Sequence, residues 1–151
     1  MNKDISIHDI SFDDCLLLYS WVNNEDSIKN KLTTSKKIIL NEHKKWFKDR
    51  IADPNTFIWI IKDKFSNKIG QIRFQMALDG FYDIDIFIIK SARRSGIASK
   101  AIKMAQIQAN AYPLRAIIKK SNHKSYLYFL SNGFKLISED EDLWQLVLSL
   151  T

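Results

Sequence analysis

Residues 83–98 read Asp-Ile-Asp-Ile-Phe-Ile-Ile-Lys-Ser-Ala-Arg-Arg-Ser-Gly-Ile-Ala, and most of the chain's capacity for chemistry lies there. An apolar run enters a polar turn that ends at Gly96, after which Ala98, Ile102, Ala105 and Ala109 recur at helical spacing. A helix that starts this way exposes backbone N–H groups and a partial positive charge. Such an end seats a phosphate. Gly96 lets the backbone come close to a ligand, and the small Ala98 avoids a clash in the first turn. An ordinary strand-to-helix turn has the same pattern, so at this point both readings stand.

Other reactive residues surround this segment. Asp83 and Asp85 fall on one face of their strand, being two apart. Either can take a proton from an attacking group, directly or through water, or simply be solvated or paired near the strand start. Glu42 and His43 open a helix, where glutamate suits the helix dipole whatever else it does. His43 is a candidate substrate contact. Trp46 is a candidate stacking platform, although core packing explains Trp46 and Phe47 as well. Arg73 offers a rigid donor fork for a phosphate or a hydroxyl, or is a plain surface arginine. Cys15 sits beside three leucines and reads as a buried small residue rather than a nucleophile.

The elements that must position these residues follow from periodicity and breakers. Ser11 and Asp14 mark a helix start that runs to about Asn24, and a short polar helix or loop covers residues 25–31. Asn41 caps a helix carrying Trp46, Phe47 and Ile51, which Asp53-Pro54 ends. Strands are predicted at 57–61, 69–76 and 83–89, separated by turns at 65–68 and around Gly80. After the helix that begins near Gly96 come a strand at 116–118 and a helix at 122–132 closed by Gly133. Residues 134–137 and 143–150 then form a closing hairpin. This order predicts a mixed α/β fold in a single domain over residues 1–151, with no repeat and no linker.

Bulk properties exclude several classes. With 151 residues, 46 % of them hydrophobic, the chain can bury a core of its own. No apolar run reaches the length of a membrane span. Residues 1–9 are polar and carry both charge signs, so a cytoplasmic protein is expected. The net charge of +6 is spread in ones and twos, with no basic block and no basic-aromatic cluster. That pattern fits a solvated surface or attraction of a phosphorylated small molecule, not nucleic acid. One cysteine and three scattered histidines give no metal-ligand spacing, so no metal is expected.

Two motifs, taken together, are similar to the GNAT acetyltransferase superfamily. Arg93-x-x-Gly96-x-Ala98 matches its Arg/Gln-x-x-Gly-x-Gly/Ala signature, and Asn122-x-x-Ser125-x-x-Tyr128-Phe129-x-x-x-Gly133-Phe134 resembles its Asn…Tyr…Gly-Phe segment. The resemblance implies a mostly antiparallel central sheet flanked by helices, and acetyl-CoA as co-substrate. It implies that Arg93, Arg94, Ser95, Gly96, Ile97 and Ala98 wrap the pyrophosphate. Phe87, Ile88 and Ile89 would line the thioester with their backbone N–H groups, and Asn122, Ser125 and Phe129 would touch the cofactor from the later helix. Trp21-x-Asn23, Glu42-His43-x-x-Trp46-Phe47 and Gly70-Gln71-Ile72-Arg73-Phe74 resemble the branch acting on nucleotide-linked amino sugars, as in pseudaminic-acid-type pathways.

The resemblance thus implies transfer of acetyl to the amine of such a sugar, with Asp83 or Asp85 as base and His43, Trp46 and Arg73 on the acceptor. The family often has a tyrosine where Phe129 stands, to protonate the leaving thiolate. That leaves the neighbouring Tyr128, Ser125 or solvent as the proton source, and helix geometry favours solvent. Two alternatives remain: acetylation of protein N-termini, as in ribosomal-protein acetyltransferases, and a non-catalytic acyl-CoA-binding module.

Overall fold

A computed structural model describes residues 4–32 and 36–149. The polypeptide forms one seven-stranded sheet in the order β1-β2-β3-β4-β5-β7-β6. The strands are β1 (Ile5–Asp9), β2 (Thr56–Asp63), β3 (Lys68–Met76), β4 (Tyr82–Ile88), β5 (Leu114–Lys119), β6 (Lys135–Glu139) and β7 (Leu143–Leu148). Every pairing is antiparallel except β4 with β5. Among the described residues five α-helices flank the sheet: α1 (Cys15–Val22), α2 (Glu25–Lys29), α3 (Leu40–Ala52), α4 (Ile97–Ala109) and α5 (His123–Ser131). The mixed α/β architecture expected from the motif order is the one observed.

Alternation along the strands divides the core in two. Trp59, Ile61, Ile72, Phe74 and Ile88 pack with Ala101, Ile102 and Ala105 of α4 and with Phe129 of α5. Ile58 and Ile60 face the other way, against Leu18 and Trp21 of α1 and Phe47 of α3. Even-numbered residues of β3 and β4 therefore meet α4 and α5, and Gln71, Arg73, Asp83, Asp85 and Phe87 share the α1–α3 face. Alanines at 101 and 105, both fully buried, let α4 lie close to the sheet.

Three expectations need correction. Residues 5–9 form an edge strand rather than a polar lead-in. Ile5 and Ile7 alternate with Ser6 and His8, and an edge strand pairs on one side only, so two half-buried isoleucines suffice. The cap of α3 is Ile39, not Asn41, because the His43 N–H already donates to the Ile39 carbonyl at 3.0 Å. Ser11 does pair with Asp14, its N–H donating to the carboxylate at 3.0 Å. The turn it opens is a short 3-10 turn, Phe12–Asp14, that leads into α1. The last residue of the expected closing strand, 150, lies outside the described residues.

Candidate active site

The site begins where β4 and β5 part. Their parallel pairing covers only Tyr82 with Leu114 and Asp83 with Arg115. Beyond that the strands diverge, and β4 turns one backbone edge toward the opening. Alternation says which groups face it. The Tyr82 N–H donates to the Pro113 carbonyl on the β5 side, and the Ile89 N–H donates to Ile69 on the β3 side. By the period of two, Ile86 and Ile88 direct their N–H and C=O groups into the gap. The Ile88 carbonyl accepts from Arg93 Nε at 2.8 Å. The expected lining of Phe87, Ile88 and Ile89 is therefore corrected to Ile86 and Ile88 as N–H donors, because the N–H groups of residues 87 and 89 serve the pairing with β3.

The turn after β4 leaves an uncapped helix start that is a candidate anion seat. Lys90–Ala92 is a 3-10 turn, Arg94 has φ 62°, and Gly96 has φ 79° as the residue capping α4. No side chain caps this helix and no acid lies in its first turn. The first N–H to reach back is that of Lys100, which donates to the Gly96 carbonyl at 3.2 Å. The N–H groups of Ile97, Ala98 and Ser99 precede that bond and point out of the helix end. Such an end attracts an anion with three donors and a partial positive charge. The Ser95 hydroxyl donates to Ala92 and stiffens the turn.

Arg93 acts as a clamp. Its Nη1 meets Asp26 of α2 at 2.7 Å, and its guanidinium carbon lies 5.6 Å from the Phe87 ring centre. The hydrogen bond from Arg93 holds the Asp26 carboxyl below its usual range. At the other lip, Lys119 Nζ donates to the Lys29 carbonyl at 3.3 Å. Helix α2 therefore spans from the end of β4 to the end of β5, a role its sequence did not announce.

The α1–α3 face carries the polar groups. Asp85 is exposed although it occupies the middle of the central strand, so the sheet is uncovered there. Arg73 stands directly across from Asp85, with its guanidinium carbon 5.0 Å from the Trp46 ring centre. Arg73 Nε is buried and has no hydrogen-bond partner among the described residues. Gln71 is 6 % exposed and donates from Nε2 to Asp85 Oδ2 at 2.7 Å. Asp83 is bound differently. Arg115, 8 % exposed, reaches both its oxygens at 2.6 and 3.1 Å and also meets Asp79 at 2.6 Å. These carboxylates, Asp83 first, hold Arg115 more firmly protonated than a free arginine. The two aspartates that alternate alike in sequence thus differ: Asp83 is locked in a fork and Asp85 is open.

The remaining candidates fall into place or out of it. His43 is 2 % exposed, and as a carbonyl only accepts, the His43 ring donates from Nε2 to Cys15 at 2.9 Å. It packs against Tyr19, Trp46 and Phe47, and burial pushes its pKa down. His43 is therefore corrected from substrate contact to core residue, because helical spacing puts it on Phe47's inward face. The Asn122 carboxamide caps α5 by accepting from the Ser125 N–H at 3.3 Å. Phe129 is 6 % exposed and packs on Phe134 in the core. Tyr128, half-buried, points toward α4, its hydroxyl 3.2 Å from that of Ser99, and burial raises its pKa. Trp21 lies against Phe87, and Asn23 exchanges two hydrogen bonds with the Ile38 backbone. Among the described residues no cluster of three metal-ligating side chains forms, and no helix is long and apolar enough to cross a membrane.

A family model described as an acetyltransferase (GNAT) domain matches residues 5–135. A search of curated proteins returns no match. Among solved structures, a domain from Methanocaldococcus jannaschii DSM 2661 superposes with a TM-score of 0.84 at 22 % identity, over 99 % of this chain and 100 % of that one. The spermidine N-acetyltransferase of Vibrio cholerae, solved with CoA and spermine, superposes with a TM-score of 0.82 at 14 % identity, over 96 % and 95 %. A dodecameric structure of the same enzyme in an intermediate state gives 0.76 at 14 % identity, over 96 % and 93 %. At these identities the likeness is one of fold.

Proposed function

The chain belongs to the acetyltransferase (GNAT) domain family, and we propose that it transfers acetyl from acetyl-CoA to the amine of a nucleotide-linked amino sugar. The observation that carries this reading is the pairing across β3 and β4 of Arg73, an unsatisfied buried donor, with Asp85, an open carboxylate. An acceptor that suits both has an amine and an anionic or oxygen-rich group, as a nucleotide-linked amino sugar does.

The residues present fit acetyl-CoA. The uncapped start of α4 suits its pyrophosphate, and the widening gap beside Ile86 and Ile88 suits an extended arm that needs backbone partners. Bound there, acetyl-CoA supplies an activated acetyl thioester. The protein's own groups then do three things. The Ile88 N–H turns toward the gap, where it can stabilise negative charge developing on the carbonyl oxygen. Asp85 takes the proton that leaves the nitrogen as the C–N bond forms and the C–S bond breaks. Trp46 and Arg73 orient the acceptor against the thioester. Tyr128 is turned to Ser99, and Phe129 is buried, so the thiolate takes its proton from solvent.

A CoA-release assay tests the reading with UDP-linked amino sugars, spermidine, peptides with free N-termini, and no acceptor. Turnover should be greatest with an amino-sugar nucleotide. Arg73→Ala should raise the Michaelis constant of that acceptor at least about tenfold, the worth of one charge-assisted hydrogen bond, and leave that of acetyl-CoA nearly unchanged. Faster turnover of peptides or spermidine refutes the sugar assignment, and the absence of acceptor-dependent CoA release anywhere in the panel refutes the transferase reading itself.

A further inference from the structure

Gln71 has a polarity that packing does not need. It sits on β3 opposite Phe87, in a patch otherwise built from Trp21, Phe87 and Ile60, and is 6 % exposed. An apolar side chain of the same length would fill that place. The carboxamide instead leaves its Oε1 buried with no partner among the described residues. Its orientation is determined by one neighbour. Nε2 donates to Asp85 Oδ2 at 2.7 Å, and the reversed amide would set an oxygen against the carboxylate. Asp85 in turn has no partner across its own pair, since Arg73 leans on Trp46. Gln71 is thus the side chain that holds an otherwise exposed carboxylate.

We infer that Gln71 is the positioning residue of Asp85, fixing one carboxylate oxygen so that the other faces the acceptor amine. The inference rests on the role proposed above for Asp85. Gln71 touches neither acetyl-CoA nor acceptor in this arrangement. It acts through the carboxylate, as groups behind a reacting residue do.

A double-mutant cycle separates this from a structural role. The variants are Gln71→Met, Asp85→Asn and the pair, assayed with whichever acceptor of the panel is turned over fastest. Gln71→Met should lower kcat about tenfold, the value of one hydrogen bond to a charged group, with the Michaelis constant of acetyl-CoA unchanged. Its melting temperature should stay level or rise, because the unsatisfied oxygen is gone. In the Asp85→Asn background the same change should cost less than about twofold, since the group it positions is absent. If Gln71→Met does not fold, Gln71→Leu, which also fills the apolar patch and has no donor, should show the same pattern. Undiminished kcat, or an equal loss in both backgrounds, overturns the inference while leaving Asp85 as base. Full activity in Asp85→Asn overturns both together, as does a wild-type protein that turns over no acceptor of the panel.

Discussion

Three glycines with positive φ allow the cofactor seat to be tested against its own controls. Gly96 has φ 79°, and Gly80 and Gly133 each have φ 87°. Placing an L-residue in this region costs about 1–2 kcal/mol of stability wherever it occurs. At Gly80 a Cβ meets nothing within 4 Å, and at Gly133 it meets Leu148 Cδ1 at an ordinary 3.5 Å. Alanine at either position should therefore lower the melting temperature by about 2–8 °C and do nothing else. Gly96 carries a second consequence. It caps α4 just before the N–H groups of Ile97, Ala98 and Ser99. Gly96→Val strains the same backbone and sets a branched side chain at the mouth of the seat. Loss of one charge-assisted hydrogen bond there is worth about 1.5–3 kcal/mol, which is about ten- to a hundredfold in the dissociation constant of CoA. Calorimetry with CoA on the three variants, each checked by thermal melting, makes the comparison. A folded Gly96→Val that binds CoA with wild-type affinity refutes the seat. Equal weakening in Gly80→Ala shows that the loss reports backbone strain and not the site.

Asp85→Asn should lower kcat about a hundredfold, in the range of a lost general base, with CoA affinity intact. Asp83→Asn should chiefly lower the melting temperature, because it loosens the fork of Arg115, and a larger rate loss in Asp83→Asn than in Asp85→Asn reverses the assignment. Tyr128→Phe should cost less than about tenfold in kcat, or about 1.4 kcal/mol of barrier. A loss of about a hundredfold with cofactor affinity unchanged makes Tyr128 the acid and solvent a bystander. His43 sets a pH dependence. Burial lowers its pKa, so the folded state binds a proton less readily than the unfolded chain. Its share of stability is full above about pH 6.5 and is lost as the pH falls below that value. Melting curves between pH 7 and 5 should show this decline, and His43→Gln should flatten it; an unchanged slope means that other groups set it.

The proposed cofactor half of the site can be read from local pattern, because its residues are contiguous. The strand, the turn and the helix start at residues 83–98 are contiguous, so alternation, one glycine and a run of small residues describe the seat almost completely. Even here only pairing with β3 says which N–H groups of β4 are spent, which is why Ile86 replaces Phe87 and Ile89 in the lining. His43 shows the limit in a helix. Its type suggested chemistry, but its helical spacing from Phe47 already placed it inward, and burial follows from that spacing rather than from its chemistry. Edge strand β1 is hidden because two isoleucines do not stand out among polar neighbours.

The proposed acceptor half depends on residues far apart in the chain, and there sequence left a symmetry that only contacts could break. Asp83 and Asp85 have the same type, the same strand and the same face. What separates them is Arg115, thirty-two positions beyond Asp83, and Gln71, fourteen before Asp85. A fork with two bonds to one carboxylate engages both its oxygens and ties the side chain to Arg115. A single amide donor fixes one oxygen and leaves the other open. The same arithmetic explains the position of the lock. Arg115 pairs with Asp83 at the last register contact between β4 and β5, so the ion pair sits where the strands begin to part. The structural aspartate closes the root of the gap, and the open aspartate lies two residues along it, where the sheet face is bare. Asp83→Asn and Asp85→Asn are therefore expected to separate stability from rate on a single strand, one residue pair apart.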